Sequence, residues 1–203
     1  MPIAWTLVFA NDAPAAAKEI VNCLVSREIV TAYWLIPTEP AHSYFQSVIN
    51  DLARQYNAPP FEPHLTVHVE ANCTNAVGGA LLKAAQGCQR IVLQAIDVSS
   101  SPEFIKTLFV QFAVTTQLQQ LNHRLRAAAK GSFDYELNPH LSLLYKTMAS
   151  EPRRLLARSI EVPFSEVTFG SLKAVRCISP TQSRADVEAW SVVAEKSLGS
   201  IGV

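Results

Sequence analysis

The sequence has no excess of charge of either sign. Its 17 Lys and Arg residues balance 17 Asp and Glu residues, so the formal net charge of the 203-residue chain is zero. A protein that grips a long nucleic-acid duplex usually carries a basic excess. The balance therefore favours a small substrate or a single RNA end as the partner and argues against a long duplex.

The sequence also lacks the segments that identify several other classes of protein. No apolar run approaches the roughly 20 residues that a membrane-spanning helix needs, so no membrane partner is expected. The four cysteines form no Cys-x-x-Cys pair, which argues against a zinc site and favours free thiols in a reducing cytoplasm. No Walker-type phosphate loop occurs. The expected protein is cytoplasmic and monomeric, and it uses neither a metal nor a cofactor.

What the chain does contain is a short motif that occurs twice. The string Pro-His-Leu-Thr-Val lies in the first half, and Pro-His-Leu-Ser-Leu lies in the second. In an extended strand, the side chains at positions i and i+2 point to the same face. Each motif therefore places a histidine and a hydroxyl on one surface, His64 with Thr66 and His140 with Ser142. The aliphatic residues of each motif turn towards a core.

A longer repeat surrounds the two motifs. In each half, the apolar pattern predicts a strand, a helix, the histidine strand, a second helix and another strand, in that order. From Trp34 to His64 is 30 positions, and from Phe109 to His140 is 31, so the two halves also agree in length. A last strand over residues 187–193 is expected to complete the sheet.

The repeat predicts a bilobal α+β fold within one duplicated domain over residues 1–203. The lobes are expected at roughly 32–100 and 105–198, each with helices on the outer face of an antiparallel or mixed sheet. The inner sheet faces should meet across a central cleft that the histidines and hydroxyls line. Residues 1–31 form an N-terminal extension to the repeat, and a helix around 15–26 is expected there.

One copy of a His-x-Thr pattern usually marks an ordinary histidine on the polar face of a strand. The second copy changes this interpretation, because packing explains a repeated leucine but does not explain a repeated polar-face histidine. His68 has the same parity as His64 and Thr66, so it lies either further along the groove or exposed at the strand end. Trp34, Phe109 and Phe112 either stack on a base or fill the core, and the core is the favoured interpretation.

The paired motifs in a duplicated α+β chain resemble the two-histidine phosphoesterase superfamily. Within it, the chain is similar to the cyclic phosphodiesterase branch. The resemblance extends over residues 32–198 and rests on the strings Tyr-Trp-Leu-Ile-Pro, Pro-His-Leu-Thr-Val and, above all, Pro-His-Leu-Ser-Leu-Leu-Tyr. It implies a bilobal α+β structure with the two motifs in a central cleft, in agreement with the repeat.

The resemblance implies an enzyme that opens cyclic phosphates on ribose, such as ADP-ribose 1″,2″-cyclic phosphate and nucleoside 2′,3′-cyclic phosphates. It implies that His64 and His140 are catalytic, with His140 as the base and His64 as the acid. It also implies that Thr66, Ser142 and Tyr145 hold the phosphate. By strict alternation Tyr145 points away from His140, so its role requires a strand end or a bulge.

Two alternative functions stay open at the level of the sequence. The 2′-5′ RNA ligase-like branch of the same superfamily shares the histidines, which would make the chain a 2′,3′-cyclic phosphodiesterase for RNA 3′ ends. A non-catalytic module could instead hold a nucleotide between the histidines without turning it over. The neutral charge and the string His-Leu-Ser-Leu-Leu-Tyr favour the enzyme for small substrates.

Overall fold

In the computed structural model, the described residues are 27–71, 77–129 and 135–199. The predicted helix around 15–26 lies outside them. Within the described ranges the elements follow the predicted order of strand, helix, histidine strand, helix and strand, twice over. The α+β fold class is confirmed.

The strands alternate with helices along both repeats. The strands are β1 (Glu28–Pro37), β2 (Leu65–Ala71), β3 (Ile91–Ser100), β4 (Leu108–Phe112), β5 (His140–Leu144), β6 (Glu166–Ser179) and β7 (Ser191–Ser197). The helices are α1 (Ala41–Tyr56), α2 (Val77–Ala85), α3 (Thr116–Ala128), α4 (Ser150–Ser159) and α5 (Arg184–Glu188). The first repeat runs from β1 to β3 and the second from β4 to β6.

The described strands form one sheet in the order β1-β2-β5-β4-β3-β6-β7, and all pairs of these strands are antiparallel. β6 also pairs with β1, so all the strands except β7 form a closed ring of pairings, and β7 pairs with β6 alone among the described strands. The last strand of each repeat crosses to the other repeat, because β3 pairs with β4 and β6 pairs with β1. The two expected sheets are thereby joined into one, and the boundaries of the lobes at 32–100 and 105–198 stay a prediction.

The longer helices bury one apolar face each. The buried residues of α1 recur at helical spacing and are Ala41, Phe45, Ile49, Leu52 and Ala53. α3 begins after Thr115, whose hydroxyl accepts a hydrogen bond from the Leu118 backbone N–H at 3.2 Å. Each helix packs on the histidine strand of the other repeat, α1 on β5 and α3 on β2. None of the helices in the described ranges is long and apolar enough to cross a lipid bilayer.

The prediction of a strand over 187–193 is partly wrong. Val187 lies in α5, and β7 begins at Ser191. The helix forms because the Ser183 hydroxyl accepts a hydrogen bond from the Asp186 backbone N–H at 3.3 Å, as an N-cap residue does. This helix turns Val187 into the core, where it is buried.

Candidate active site

The two histidine strands meet at the residues that follow the histidines. The two motif leucines pair with each other across β2 and β5. Continuing this antiparallel register places His64 across from Ser142 and Thr66 across from His140. All four side chains line one pocket. The structure therefore brings together the histidines and hydroxyls that the sequence placed in a common groove.

The pocket has a cavity volume of about 290 Å³ and is open to solvent. Tyr145, the fifth predicted site residue, also lines it. Away from the histidines the wall is largely apolar and includes Val30, Ala32, Val69, Ile178 and Pro180. No lysine or arginine belongs to the wall within the described part of the chain. The pocket therefore combines a polar end, where the motifs meet, with an apolar arm that lies over the paired strands β1 and β6.

A bulge in β2 sets which side chains of the first repeat enter the pocket. Trp34 of β1 lies opposite Thr66, whereas Tyr33 lies opposite His68, so Val67 is the extra residue. Beyond this bulge the alternation is reversed, and Val69 rather than His68 faces the pocket.

His68 therefore contradicts both interpretations offered by the sequence. It is neither in the groove nor exposed at the strand end, because the bulge turns it to the core side, where it is 3% exposed. Its ring stacks with that of Tyr33 at a centroid distance of 6.4 Å. Burial lowers the pKa of His68, and its Nδ1 has no hydrogen-bond partner within the described ranges.

The same bulge occurs in β5 and explains the position of Tyr145. Phe109 of β4 lies opposite Ser142, whereas Leu108 lies opposite Leu144, so Leu143 is the extra residue. The reversed alternation brings Tyr145 to the pocket. The sequence required a strand end or a bulge for this placement, and the structure has both, because β5 ends one residue before Tyr145.

A backbone carbonyl fixes the orientation of each pocket histidine. His64 Nδ1 lies 2.6 Å from the carbonyl oxygen of Glu62, and His140 Nδ1 lies 2.7 Å from that of Asn138. A carbonyl only accepts hydrogen bonds, so Nδ1 carries the proton in each ring. Nε2 is thereby left available for chemistry in both imidazoles.

Aromatic rings surround His64. Trp34 stacks on its face, with centroids 3.7 Å apart and an interplanar angle of 14°. Trp190 and Phe61 present edges at 5.9 Å and 6.1 Å. His140 has a looser environment, in which Phe109 makes an edge contact at 5.5 Å. His64 is consequently buried, whereas His140 stays partly exposed.

Burial lowers the pKa of both imidazoles to about 4. The carbonyl partner of each ring opposes the shift, and positive charge adds to it, from His140 and Lys173 at His64 and from Lys106 at His140. Both rings are therefore neutral near pH 7 in the free protein. An anionic phosphate between them would favour the imidazolium form and raise both pKa values.

The two motif hydroxyls differ in what they already bind. The Ser142 hydroxyl donates a hydrogen bond to the Ile105 carbonyl oxygen at 2.8 Å. The Thr66 hydroxyl has no hydrogen-bond partner in the described ranges. Tyr145 stacks on Phe61 with centroids 3.8 Å apart, and burial raises the pKa of its phenol while the neighbouring Ser142 hydroxyl lowers it. Thr66 is therefore the freer of the two hydroxyls.

Trp34 and Phe109 are buried, as the favoured core interpretation predicts, and they also belong to the site. Each lies opposite the hydroxyl of its own repeat, and each touches the histidine. The sequence contains a signal for their role, because Trp34 precedes His64 by 30 positions and Phe109 precedes His140 by 31. Trp190 and Cys177 also line the pocket, and Cys177 is a buried free thiol whose pKa burial raises to about 12. No pattern in the sequence marked these two.

The chemistry of the site is that of two imidazoles, hydroxyls and a phenol. Within the described ranges, no group of three or more His, Cys, Asp or Glu side chains is placed to hold a metal ion. Two rings with free Nε2 atoms on one pocket can take a proton at one side of a ligand and donate one at the other. Hydroxyls between them can donate to phosphate oxygens.

Comparison with known proteins agrees with this geometry. Residues 29–198 match the family model described as "Cyclic phosphodiesterase-like protein". A curated relative, the cyclic phosphodiesterase of Arabidopsis thaliana, is 23% identical over 169 residues, which cover 81% of this chain and 93% of the relative.

Similar solved structures include that of E. coli LigT complexed with 3′-AMP, with 14% identity and a TM-score of 0.55. The E. coli LigT structure complexed with NADP+ has 14% identity and a TM-score of 0.52. Each likeness covers 86% of this chain and 100% of the other. At this identity the solved structures support the fold alone.

Proposed function

The chain belongs to the cyclic phosphodiesterase-like protein family of the two-histidine phosphoesterases, and on this basis we propose that it opens cyclic phosphates on ribose by acid and base catalysis from His64 and His140. Cyclic phosphodiesterase activity is its general function. The proposed substrates are nucleoside 2′,3′-cyclic phosphates, opened to 2′-phosphates, and ADP-ribose 1″,2″-cyclic phosphate. The observation that carries the proposal is the convergence of two imidazoles with free Nε2 atoms on one pocket.

In the proposed reaction, His140 is the general base. Its Nε2 takes a proton from water while the water oxygen attacks phosphorus, and the bond from phosphorus to one ribose oxygen breaks. This role suits the more exposed of the two rings. One water is consumed, and the product is a phosphate monoester beside a free ribose hydroxyl.

His64 is the general acid of the proposed reaction. Its Nε2 gives a proton to the ribose oxygen that leaves phosphorus. The face of Trp34, 3.7 Å from the imidazole, favours the positive charge of the protonated ring. The negative charge of the bound phosphodiester also favours protonation of one ring, so the pair shares a single proton. Each proton transfer contributes about 10²- to 10⁴-fold to the rate.

Thr66, Ser142 and Tyr145 are the proposed ligands of the non-bridging phosphate oxygens. Negative charge grows on these oxygens in the transition state, where a fixed donor is worth most. The Thr66 hydroxyl is free to donate, whereas the Ser142 hydroxyl must first release the Ile105 carbonyl. Tyr145 can donate its phenolic proton, because burial raises its pKa and keeps it protonated.

The apolar arm of the pocket supports a small substrate. It provides apolar contacts for the organic part of a nucleotide and offers no Lys or Arg among its described wall residues to bind further phosphates. Lys106 lies near His140, with its Nζ 4.6 Å from the centroid of the Phe109 ring. A mononucleotide fits this charge distribution better than an RNA end or ADP-ribose 1″,2″-cyclic phosphate does, because both of these carry further phosphates. The cytoplasmic location and monomeric state remain predictions.

A turnover assay with matched substrates tests the proposal. The purified chain is incubated with a nucleoside 2′,3′-cyclic phosphate, ADP-ribose 1″,2″-cyclic phosphate, a nucleoside 3′,5′-cyclic phosphate and a short RNA that ends in a 2′,3′-cyclic phosphate. We expect the 2′,3′- and 1″,2″-cyclic phosphates to be opened and the mononucleotide to yield the 2′-phosphate, with the 3′,5′-cyclic phosphate as the negative control. The double variant H64A/H140A should be inactive. Product isomers are separated by chromatography.

Two outcomes would favour the alternatives instead. Faster turnover of the RNA end than of the mononucleotide would assign the chain to RNA-end processing. Tight binding of AMP without hydrolysis of any substrate would show a nucleotide-binding module.

A further inference from the structure

The carbonyl that holds each pocket histidine belongs to a residue whose own side chain is anchored by a neighbouring strand. Lys173 of β6 donates a hydrogen bond from Nζ to Glu62 Oε1 at 2.6 Å. On the other side, Gln111 of β4 donates from Nε2 to Asn138 Oδ1 at 3.0 Å and to the Pro139 carbonyl oxygen at 2.8 Å. The first anchor is an ion pair, and the second is neutral.

The ion pair is sheltered from solvent. The Lys173 side chain is 14% exposed and that of Glu62 is 31% exposed. Lys173 is also the partner of Trp34 in the pairing of β6 with β1. It therefore lies beside both groups that hold the His64 ring, the Trp34 face and the loop that carries the Glu62 carbonyl.

We propose that Lys173 is a positioning residue for His64, acting through Glu62. The ion pair fixes the Glu62 loop, the Glu62 carbonyl fixes His64 Nδ1–H, and Nε2 is thereby aimed at the leaving oxygen. This inference deepens the proposed function and rests on it. A loosened loop would let the imidazole rotate, and misplacement of a catalytic group by about 1 Å can reduce a rate by about 10²-fold.

Charges from several elements act on His64. Lys173 of β6 and His140 of β5 act on it through their charge, whereas Glu62 acts on it through its backbone carbonyl. Two further groups touch the ion pair. His42 of α1 lies 3.9 Å from Glu62 Oε1, and Glu195 of β7 lies 3.8 Å from Lys173 Nζ. Removing one member of the pair therefore changes both the charge near His64 and the hold on its loop.

Four substitutions separate the charge of the pair from its hold on the loop. K173M removes a cation and should raise the pKa of His64, whereas E62L and E62Q remove an anion and should lower it. E62Q retains an oxygen that accepts from Lys173, and E62L does not. K173R retains a cationic donor. If the pair positions His64, K173M and E62L lower kcat although they move the pKa in opposite directions, while E62Q and K173R stay near the wild-type kcat.

The experiment measures kcat and KM for a nucleoside 2′,3′-cyclic phosphate across the pH range, together with NMR titration of the His64 ring. We expect K173M and E62L each to lower the pH-independent kcat by about 10- to 100-fold with little change in KM. K196M is the matched control, because it removes one positive charge from an exposed position on β7 of the same sheet. It should match the wild type.

Two results would overturn the inference. In the first, kcat changes across the variants only as the pKa of His64 changes, and E62L and E62Q are equally active. The ion pair would then act on His64 only through its charge. The other is a lowered melting temperature of K173M and E62L with unchanged kcat per folded molecule, which would show a purely structural pair. Failure of the proposed function looks different, because the wild-type chain itself would then open no cyclic phosphate while the NMR titrations could still be recorded.

Discussion

The surroundings of His64 and those of His140 share a backbone geometry and differ in nearly every neighbouring side chain. Each histidine strand has a bulge one residue after its hydroxyl, at Val67 and at Leu143. Each histidine donates Nδ1–H to the carbonyl two residues before it. Duplication thus explains where the imidazoles and hydroxyls lie, but it does not make the two sites equivalent.

The differences lie in the side chains at matching positions. The residue opposite the hydroxyl is Trp34 in the first repeat, where it covers the face of the histidine, and Phe109 in the second, where it touches only an edge. The position after the bulge that faces the pocket holds Val69 in the first repeat and Tyr145 in the second. One imidazole is therefore enclosed and the other is partly exposed, a difference that suits the proposed roles of acid and base.

The largest expected effect is the loss of either histidine. H64A and H140A should each lower kcat/KM for a nucleoside 2′,3′-cyclic phosphate by about 10²- to 10⁴-fold, because each removes one proton transfer. An aryl phosphodiester sharpens the comparison, since its leaving group departs without a proton. With that substrate, H64A should retain more of the wild-type rate than H140A does.

The control for these variants is H123A, which changes an exposed histidine on α3. It should leave the rate unchanged. Equal residual activity of H64A and H140A on the aryl substrate would break the assignment of acid and base. Near-normal activity of either variant on the cyclic phosphate would break the two-imidazole scheme itself.

A smaller effect should distinguish the two hydroxyls. T66V keeps the shape of the side chain and removes a free donor, so kcat/KM should fall by about 10²-fold. S142A removes a hydroxyl that already donates to the Ile105 carbonyl, so the rate should fall less. S142A should instead lower the free energy of unfolding by about 1 kcal/mol, since the carbonyl loses its partner. Kinetics and urea unfolding of both variants measure the two effects.

Equal rate losses for T66V and S142A, with no loss of stability in S142A, would contradict this prediction. That result would mean that the bond to the Ile105 carbonyl contributes nothing measurable in the free protein and that the two hydroxyls donate equally to the phosphate.

The convergence of the histidines could be predicted because it depends on two simple properties of the chain. The motif is repeated, and side chains two apart on a strand share a face. Everything up to Thr66 and Ser142 obeys that alternation. The alternation fails from the next residue onwards. Val67 and Leu143 are apolar, and the sequence does not distinguish a regular core position from a bulge there. For this reason His68 was placed on the wrong face.

Contacts between distant parts of the chain could not be predicted at all. Glu62 and Lys173 are 111 positions apart, and nothing in either segment indicates that they meet. They meet because the last strands of the two repeats are exchanged. β6, which carries Lys173, pairs with β1 of the first repeat. The roles of Trp34 and Phe109 were closer to reach, since their spacing to the histidines matches, but apolar aromatic residues on strands usually fill a core.

The smallest expected effect concerns these two aromatic residues. Burial is the largest cause of the lowered pKa of each histidine. W34L removes a ring that lies 3.7 Å from His64, whereas F109L removes one that touches the edge of His140 at 5.5 Å. W34L also removes the ring face that favours the protonated imidazole, but burial is the largest cause of the shift. The pKa of His64 should therefore rise from about 4 towards its ordinary value, by up to about one unit. F109L should raise that of His140 by less. NMR titration of both rings measures the shifts, and a larger shift at His140 would show that exposure to solvent, and not the stacked ring, distinguishes the two halves of the pocket.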